Sequence, residues 1–205
     1  MKPTFLLALT SLTCLCGAAL AAPLTFDFKD PKGVNNAVFK LDAPLESING
    51  TANGISGTAE FDPSAPTTVK GKVVINTSSL HVGNSTMKEH LHGEDWMNVA
   101  KYPEITFETV SAQNAKTEGN TTTLEVSGKM TVKGVTKEMT VPVKLTYLKD
   151  KLSARVPGKQ GDLLVLRANF TIKRSDFKIG TAQHNEKVSN DIELSLSLAG
   201  AAPKS

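Results

Sequence analysis

TTLEVSGKMTVKGVTKEMTVPVKLTY (Thr122–Tyr147) decides the fold class, because its period is two residues. Leu124, Val126 and Gly128 alternate with Glu125, Ser127 and Lys129, as in a strand that buries one face. A two-residue loop at Lys133-Gly134 sets Val132 against Val135. It then brings Leu124 opposite Val143, Val126 opposite Val141 and Gly128 opposite Met139, all on one face. Lys-Gly is a weaker turn signal than Asn-Gly, so a bulged three-residue loop is the alternative. Pro142 has no N–H to donate, and in this register the missing donor faces away from the hairpin partner. An edge, a bulge or a gap is expected on that side.

The same alternation recurs outward from the hairpin. Ile55, Gly57, Ala59 and Phe61 share a face, as do Val69, Gly71, Val73 and Ile75. Leu164, Leu166, Ala168, Phe170 and Ile172 repeat it, and Ile192, Leu194, Leu196 and Leu198 close the series against Asp191, Glu193, Ser195 and Ser197. One apolar face per strand, over roughly eight runs, describes an antiparallel sheet that curls around a single interior and closes on itself. The small-residue stretch 199–205 is expected as a flexible tail.

One helical segment interrupts the strands, from Ser85 to about Ala100. Thr86-x-x-Glu89 has capping-box spacing, Gly93 ends or kinks the first turns, and Pro103 forbids continuation. Trp96, the only tryptophan, gives this insert an apolar side with Met97, Val99 and Tyr102.

Residues 1–21 read as a cleaved signal peptide. Lys2 is its positive start, Phe5 to Leu20 its apolar run, and Ala19-Leu20-Ala21 its small-x-small cleavage site. Removing 21 of 205 residues leaves 184, and losing Lys2 takes the formal charge from +3 to +2. That balance gives no basic field for nucleic acid. Both cysteines, Cys14 and Cys16, fall within the leader. The remainder, 22–198, is expected as one domain without disulfide, thiolate metal site or cysteine nucleophile, exported to a periplasm or secreted. No later apolar run is long enough to span a membrane.

Few residues suggest chemistry. His90-x-His92 is the one tempting metal pair, but positions two apart do not share a helix face, and His81 and His184 are remote in sequence. Polar helix surface or a head-group contact explains the pair better. Glu94-Asp95 is adjacent rather than paired, and no serine sits in a nucleophile elbow. Neither a metal nor an enzyme activity is expected.

The interior has two readings. Gly57, Ala59, Gly71, Gly128 and Ala168 stand where a packed barrel would want volume, which favours a chamber; alternatively the glycines are bulges that let strands bend. The candidate chamber lining is Phe61, Val73 and Ile75, then Trp96 and Met97, then Ile105 and Phe107. The hairpin adds Val126, Met130, Val141 and Val143, and the last third adds Phe170, Ile172, Phe177 and Leu194. His90, His92, Arg174 and Asp176 are the candidate polar contacts near a mouth, with an Arg174–Asp176 salt bridge as the purely structural alternative.

Several blocks, taken together, identify a family. They include His90-Leu91, Asp95-Trp96 and Lys101-Tyr102-Pro103-x-Ile105-x-Phe107, as well as Phe61-Asp62-Pro63 and the segment Ile75 to Leu80. Val126-x-Gly128-x-Met130-x-Val132-x-Gly134-Val135-Thr136, Arg174-Ser175-Asp176-Phe177-Lys178-Ile179-Gly180 and Val188 to Leu194 follow in order. The sequence resembles the YceI-like family of exported isoprenoid-binding proteins. The resemblance implies an all-β, extended antiparallel eight-stranded lipocalin-like barrel with one short helical insert. It also implies a lipid-binding role, in which a long-chain isoprenoid or similar amphiphile is held for transport, storage or sequestration. The chain departs from the family at Asn35-Asn36-Ala37-Val38-Phe39 and Asp42-Ala43-Pro44, and in a polar loop from Arg155 to Asp162. The expected partner is a long-chain apolar small molecule, with no cofactor beyond it; transient membrane contact and a homodimer are both compatible. The alternative is a structural or stress-associated exported barrel with a filled core and no ligand.

Overall fold

The computed structural model describes residues 22–180 and 186–204, so the expected leader, His184 and Ser205 lie outside the described residues. Its strands are β1 (Leu24–Asp27), β2 (Asn36–Asp42), β3 (Ser47–Ala52), β4 (Ile55–Phe61), β5 (Lys70–Asn76) and β6 (His81–Val82). After helix α1 (Ser85–His92) come β7 (Glu104–Glu118), β8 (Thr121–Val132) and β9 (Val135–Leu148). Helix α2 (Leu152–Arg155), β10 (Gly161–Lys173) and β11 (Asp191–Pro203) complete the order.

Eight of these strands, in the order β1-β4-β5-β7-β8-β9-β10-β11, close into an antiparallel barrel where β1 meets β11. The remaining three, β2, β3 and β6, extend from β11 as a flap of the same sheet. One edge of β11 pairs with β10 along its whole length, while the other holds β2 at Glu193–Ser197 and β1 at Ala201.

The central hairpin has the register that its alternation dictates: Val132 opposite Val135, Gly128 opposite Met139, Val126 opposite Val141 and Leu124 opposite Val143. Lys133 and Gly134 both take positive φ, 48° and 74°, which is the tight two-residue turn whose twist suits the flanking strands. Pairing between β9 and β10 begins at Leu148 with Leu163 and ends at Val143 with Ala168, one residue before Pro142. Its absent N–H therefore faces a gap, as expected. A 3-10 turn at Arg174–Phe177 packs there against β9 and carries the buried Phe177.

Three expectations are corrected. Of the expected tail 199–205, residues 199–204 are not free, because Ala199–Pro203 pair with Gly161–Val165 and the Lys204 N–H donates to the Gln160 carbonyl. Gly200 leaves room there, since Phe26 Cβ and the Phe28 ring each lie 3.0 Å from where a side chain at that position would begin. Helix α1 stops at His92 rather than Ala100, and Asn84 caps it instead of the Thr86–Glu89 pair, accepting from the Met87 N–H at 2.9 Å. Trp96 and Met97 lie in the turns that follow, where Asn98 adopts a positive φ of 45° and donates to the Gly93 carbonyl at 2.7 Å. Finally, α2 makes a second short helix in the expected polar loop.

The barrel end nearest the β1–β11 junction is filled. Phe26, Phe61, Leu124, Leu164 and Leu198 are each exposed by 4% or less, and Phe26 meets Tyr147 edge-on at 6.2 Å between ring centroids. Polar groups seal this end. The buried Asn35 amide donates to the carbonyls of Phe28 (2.9 Å) and Ala199 (3.2 Å), and it accepts from the Ala199 N–H (2.9 Å) and Arg155 (3.1 Å). Arg155 also pairs with Asp30 at 2.9 Å. Asp162 accepts from the Tyr147 hydroxyl at 2.7 Å and the Asp150 N–H at 2.8 Å. Each buried polar group thus has the partner its desolvation requires.

Burial, reinforced by the Asp162 carboxylate, pushes the Tyr147 hydroxyl up to about 12. An unfolded tyrosine ionises near ~10, so this contribution is intact below that pH and is lost as the pH rises towards the folded value. Melting temperature is therefore expected to fall more steeply between pH 10 and 12 in the wild type than in Tyr147→Phe. Parallel curves for the two proteins would refute this role for Tyr147.

Candidate functional site

Beyond the filled end the barrel is hollow, enclosing a chamber of about 850 Å³. Its walls follow from strand alternation. β5 turns Val73 and Ile75 inward, β7 Ile105 and Phe107, β8 Val126 and Met130, and β9 Val141 and Val143. β10 adds Phe170 and Ile172, β11 adds Leu194, and the turn after α1 lays Trp96 and Met97 across the opening. Two expected lining residues are elsewhere. Phe61, the last residue of β4, belongs to the filled end, and Phe177 lies on the 3-10 turn against β9.

The chamber also has lining outside the sequence-based set. Phe28, Val69 and Leu145 form its floor, and Ala37, Phe39 and Leu41 enter from β2. The β2 residues carry the same period-two signal as the others and could have been found by it. Phe28 could not, because it lies just past a four-residue strand.

The small residues divide between the two readings. Ala59, Gly71 and Ala168 line the chamber, whereas Gly57 and Gly128 do not. Gly57 has φ +116°, and a Cβ there would lie 2.0 Å from the Lys72 carbonyl oxygen, so it is a site of strained, close backbone approach. At Gly128 a Cβ would meet the Phe107 ring at 2.5 Å; the glycine leaves room for that ring rather than for a ligand.

Charged groups gather at the mouth, where Glu46, Glu89, His90, Glu94, Asp95 and Lys187 border the chamber. His92 is off it, with Nε2 2.8 Å from the Leu80 carbonyl oxygen. Asp176 is exposed and also off it. Arg174, by contrast, is buried beneath the mouth and donates to the main-chain carbonyls of Ser189 (2.7 Å), Ile179 (2.8 Å) and Val188 (3.0 Å). In place of the alternative Arg174–Asp176 salt bridge, Arg174 forms a clamp on main-chain oxygens. Burial draws the Arg174 guanidinium below its ordinary pKa without discharging it.

Trp96 rests on this clamp, its ring 5.4 Å from the Arg174 guanidinium carbon. Gly180, at φ +63°, leaves space for both: a Cβ there would lie 2.8 Å from Arg174 Nη1 and 3.1 Å from the Trp96 ring. The Gly180 N–H donates to the Asp95 carbonyl at 2.9 Å. Lys133, at the hairpin tip, donates to that same oxygen at 2.8 Å and to the Lys178 carbonyl at 3.1 Å. Burial lowers the Lys133 pKa, outweighing the opposing pull of Asp95 and Glu94. The Trp96 turn is therefore fastened over the chamber from two sides. Among the described residues, no group of three or more His, Cys, Asp or Glu side chains is arranged to hold a metal ion. Apolar walls, with titratable groups gathered at the mouth and at Lys70 and Lys72 on β5, equip the site for non-covalent capture of an apolar chain.

Comparison with known proteins agrees with this architecture. The YceI-like domain family matches residues 29–199. The Protein YceI of Salmonella newport (strain SL254) is 32% identical over 197 residues, covering 96% of this chain and 95% of that protein. A UPF0312 protein of Yersinia pestis (strain Pestoides F) is 32% identical over 202 residues, covering 97% and 96%. Among solved structures, the Campylobacter jejuni YCEI protein superposes with a TM-score of 0.59 at 27% identity, covering 76% of this chain and 84% of its own. Burkholderia cenocepacia BcnA shares the fold with a TM-score of 0.65 at 23% identity, over 80% and 95% of the two chains. So does a polyisoprenoid binding domain from Saccharophagus degradans implicated in plant cell wall breakdown, at 0.62 and 11%, over 88% and 99%.

Proposed function

We propose a function from the premise that the family match supplies: this chain belongs to the YceI-like family. On that premise the protein is a binding protein rather than an enzyme. It holds a long-chain isoprenoid or similar amphiphile inside the barrel for transport, storage or sequestration, and releases it unchanged. The observation that carries this reading is the division of the interior, which is filled by fully buried side chains at one end and hollow over about 850 Å³ at the other. An inert structural barrel has no need of the hollow half, since interiors otherwise close-pack. A fold shared with a domain named for polyisoprenoid binding points the same way. The leader expected in residues 1–21 supports an activity outside the cytoplasm, in a periplasm or in secreted form.

The energetics are adequate. Burying roughly ten methylenes at ~0.8 kcal/mol each offers ~8 kcal/mol before entropy losses, so the apolar chain itself supplies the main driving force without any specific polar contact. His90 at the rim and the Arg174-supported Trp96 turn are the groups placed to meet a head-group and the adjoining chain.

Trp96 is the only tryptophan and lines the chamber, so its emission reports on occupancy. Delipidated protein is expected to show red-shifted Trp96 emission that returns to the blue, saturably, as a long-chain isoprenoid is added. Trp96→Ala is expected to weaken binding by about 0.5–2 kcal/mol. Emission that ignores every amphiphile, together with lipid-free protein from the native host, would leave the structural barrel as the function.

A further inference from the structure

We propose that Phe28 is the chain-length gauge of the barrel, a fixed floor that sets how many isoprene units the chamber accepts. The inference rests on the carrier reading above and adds a specificity to it.

Phe28 is fully buried and lines the chamber at its inner end. Its backbone is held on both sides: the N–H donates to the Gly57 carbonyl at 2.9 Å, and the carbonyl accepts from the Asn35 amide at 2.9 Å. Asn35 is itself anchored to Ala199 and Arg155, so the residue cannot shift along the barrel axis without breaking the seal. The Phe28 ring lies against Gly200, 3.0 Å from where a side chain would start, which blocks its retreat towards β11. Beneath it Phe26, Leu164 and Leu198 are fully buried. The inner end is rigid, and Glu46, Glu89, His90, Glu94, Asp95 and Lys187 border the opposite end, while the exposed Lys70 and Lys72 of β5 flank the chamber along one wall.

A chain that enters tail first past the mouth stops at Phe28, with any surplus left outside. At about 30 Å³ of liquid volume per water-sized unit, 850 Å³ holds roughly thirty heavy atoms, or about six five-carbon isoprene units. Each unit up to that limit trades water for apolar wall and strengthens binding, by roughly tenfold or more. Units beyond it gain nothing and, competing with detergent, bind worse.

The test presents the delipidated protein with an equimolar series of unphosphorylated prenols in one non-ionic detergent and counts bound chains by native mass spectrometry. In the wild type, chains longer than about six units are expected to be depleted at least about fivefold relative to five-unit chains. Phe28→Leu, a change a core tolerates, is expected to move the cut-off to longer chains. Ala37→Leu, which fills the wall just above the floor, is expected to move it to shorter ones. Bound prenols with no length cut-off, or one unmoved in both variants, would overturn the gauge while leaving the carrier reading intact. Complexes with no prenol of any length would overturn the carrier reading, and the gauge with it.

Discussion

Arg174→Met is expected to lower the melting temperature by about 6–12 °C. The guanidinium serves at least three main-chain carbonyls at 2.7–3.0 Å from a buried position. Hydrogen bonds to a charged donor are worth ~1.5–3 kcal/mol each, but methionine recovers part of the loss through packing and water reaches some of the carbonyls. A net loss of about 3 kcal/mol at ~2–4 °C per kcal/mol gives the range stated. Asp176→Ala, by contrast, is expected to change stability by less than ~0.5 kcal/mol, as for an exposed side chain outside any network. Thermal circular dichroism on the two variants separates the carbonyl clamp from an ion pair. Equal losses from both would show that the ion pair carries the stability. The same clamp supports Trp96, so Arg174→Met protein that remains folded is also expected to lose the Trp96 response to ligand.

Ala168→Leu is expected to weaken lipid binding by roughly ten- to a hundredfold while leaving the melting temperature within a few degrees of wild type. Ala168 faces the chamber between Val143 on β9 and Leu196 on β11. A leucine there occupies space that three carbons of the guest would otherwise take, at ~0.8 kcal/mol each. In a filled barrel the added methylenes would instead overpack the core and destabilise it by ~1–3 kcal/mol. Undiminished binding with a clear drop in melting temperature would sink the chamber.

The two variants differ in how visible their sites were from sequence. Ala168 was legible, because period-two alternation fixes which face a residue occupies and a small residue on an inner face is a volume deficit. The same logic read the Lys133-Gly134 register and the gap beside Pro142. It could not say which glycines serve the backbone: Gly128 looks like Ala168 in sequence, yet the Phe107 ring lies over it. Alternation also names a face without naming a neighbour. Hence β2, β3 and β6, which form the flap, were not separable from the ring, and 199–203 read as a tail although it is the strand against Phe26 and Phe28. Arg174 misled for a related reason. Asp176 is its obvious charge partner two residues away, whereas main-chain carbonyls, the actual acceptors, leave no mark in a sequence. The insert was found and its end misjudged, since Asn84 competes with Thr86 for the cap and Asn98 takes a left-handed conformation that ends any continuation.

The pairing of β11 with three strands has a consequence for how the chain reaches this state. β11 is last in chain order, and both its edges are needed: one completes β10, the other joins β2 and β1, which were made first. During synthesis the ring therefore stays open until its final segment emerges, and β10 meanwhile presents an unpaired edge of thirteen residues. Closure then joins residues some 160–175 positions apart, such as Ser197 with Asn36 and Ala201 with Asp27, the kind of long loop that makes non-local β folds slow to form. A nascent or truncated chain lacking β11 is thus an open, apolar-faced sheet, and the interval before the thirteen residues of β11 dock is when this protein most needs shelter from its own kind.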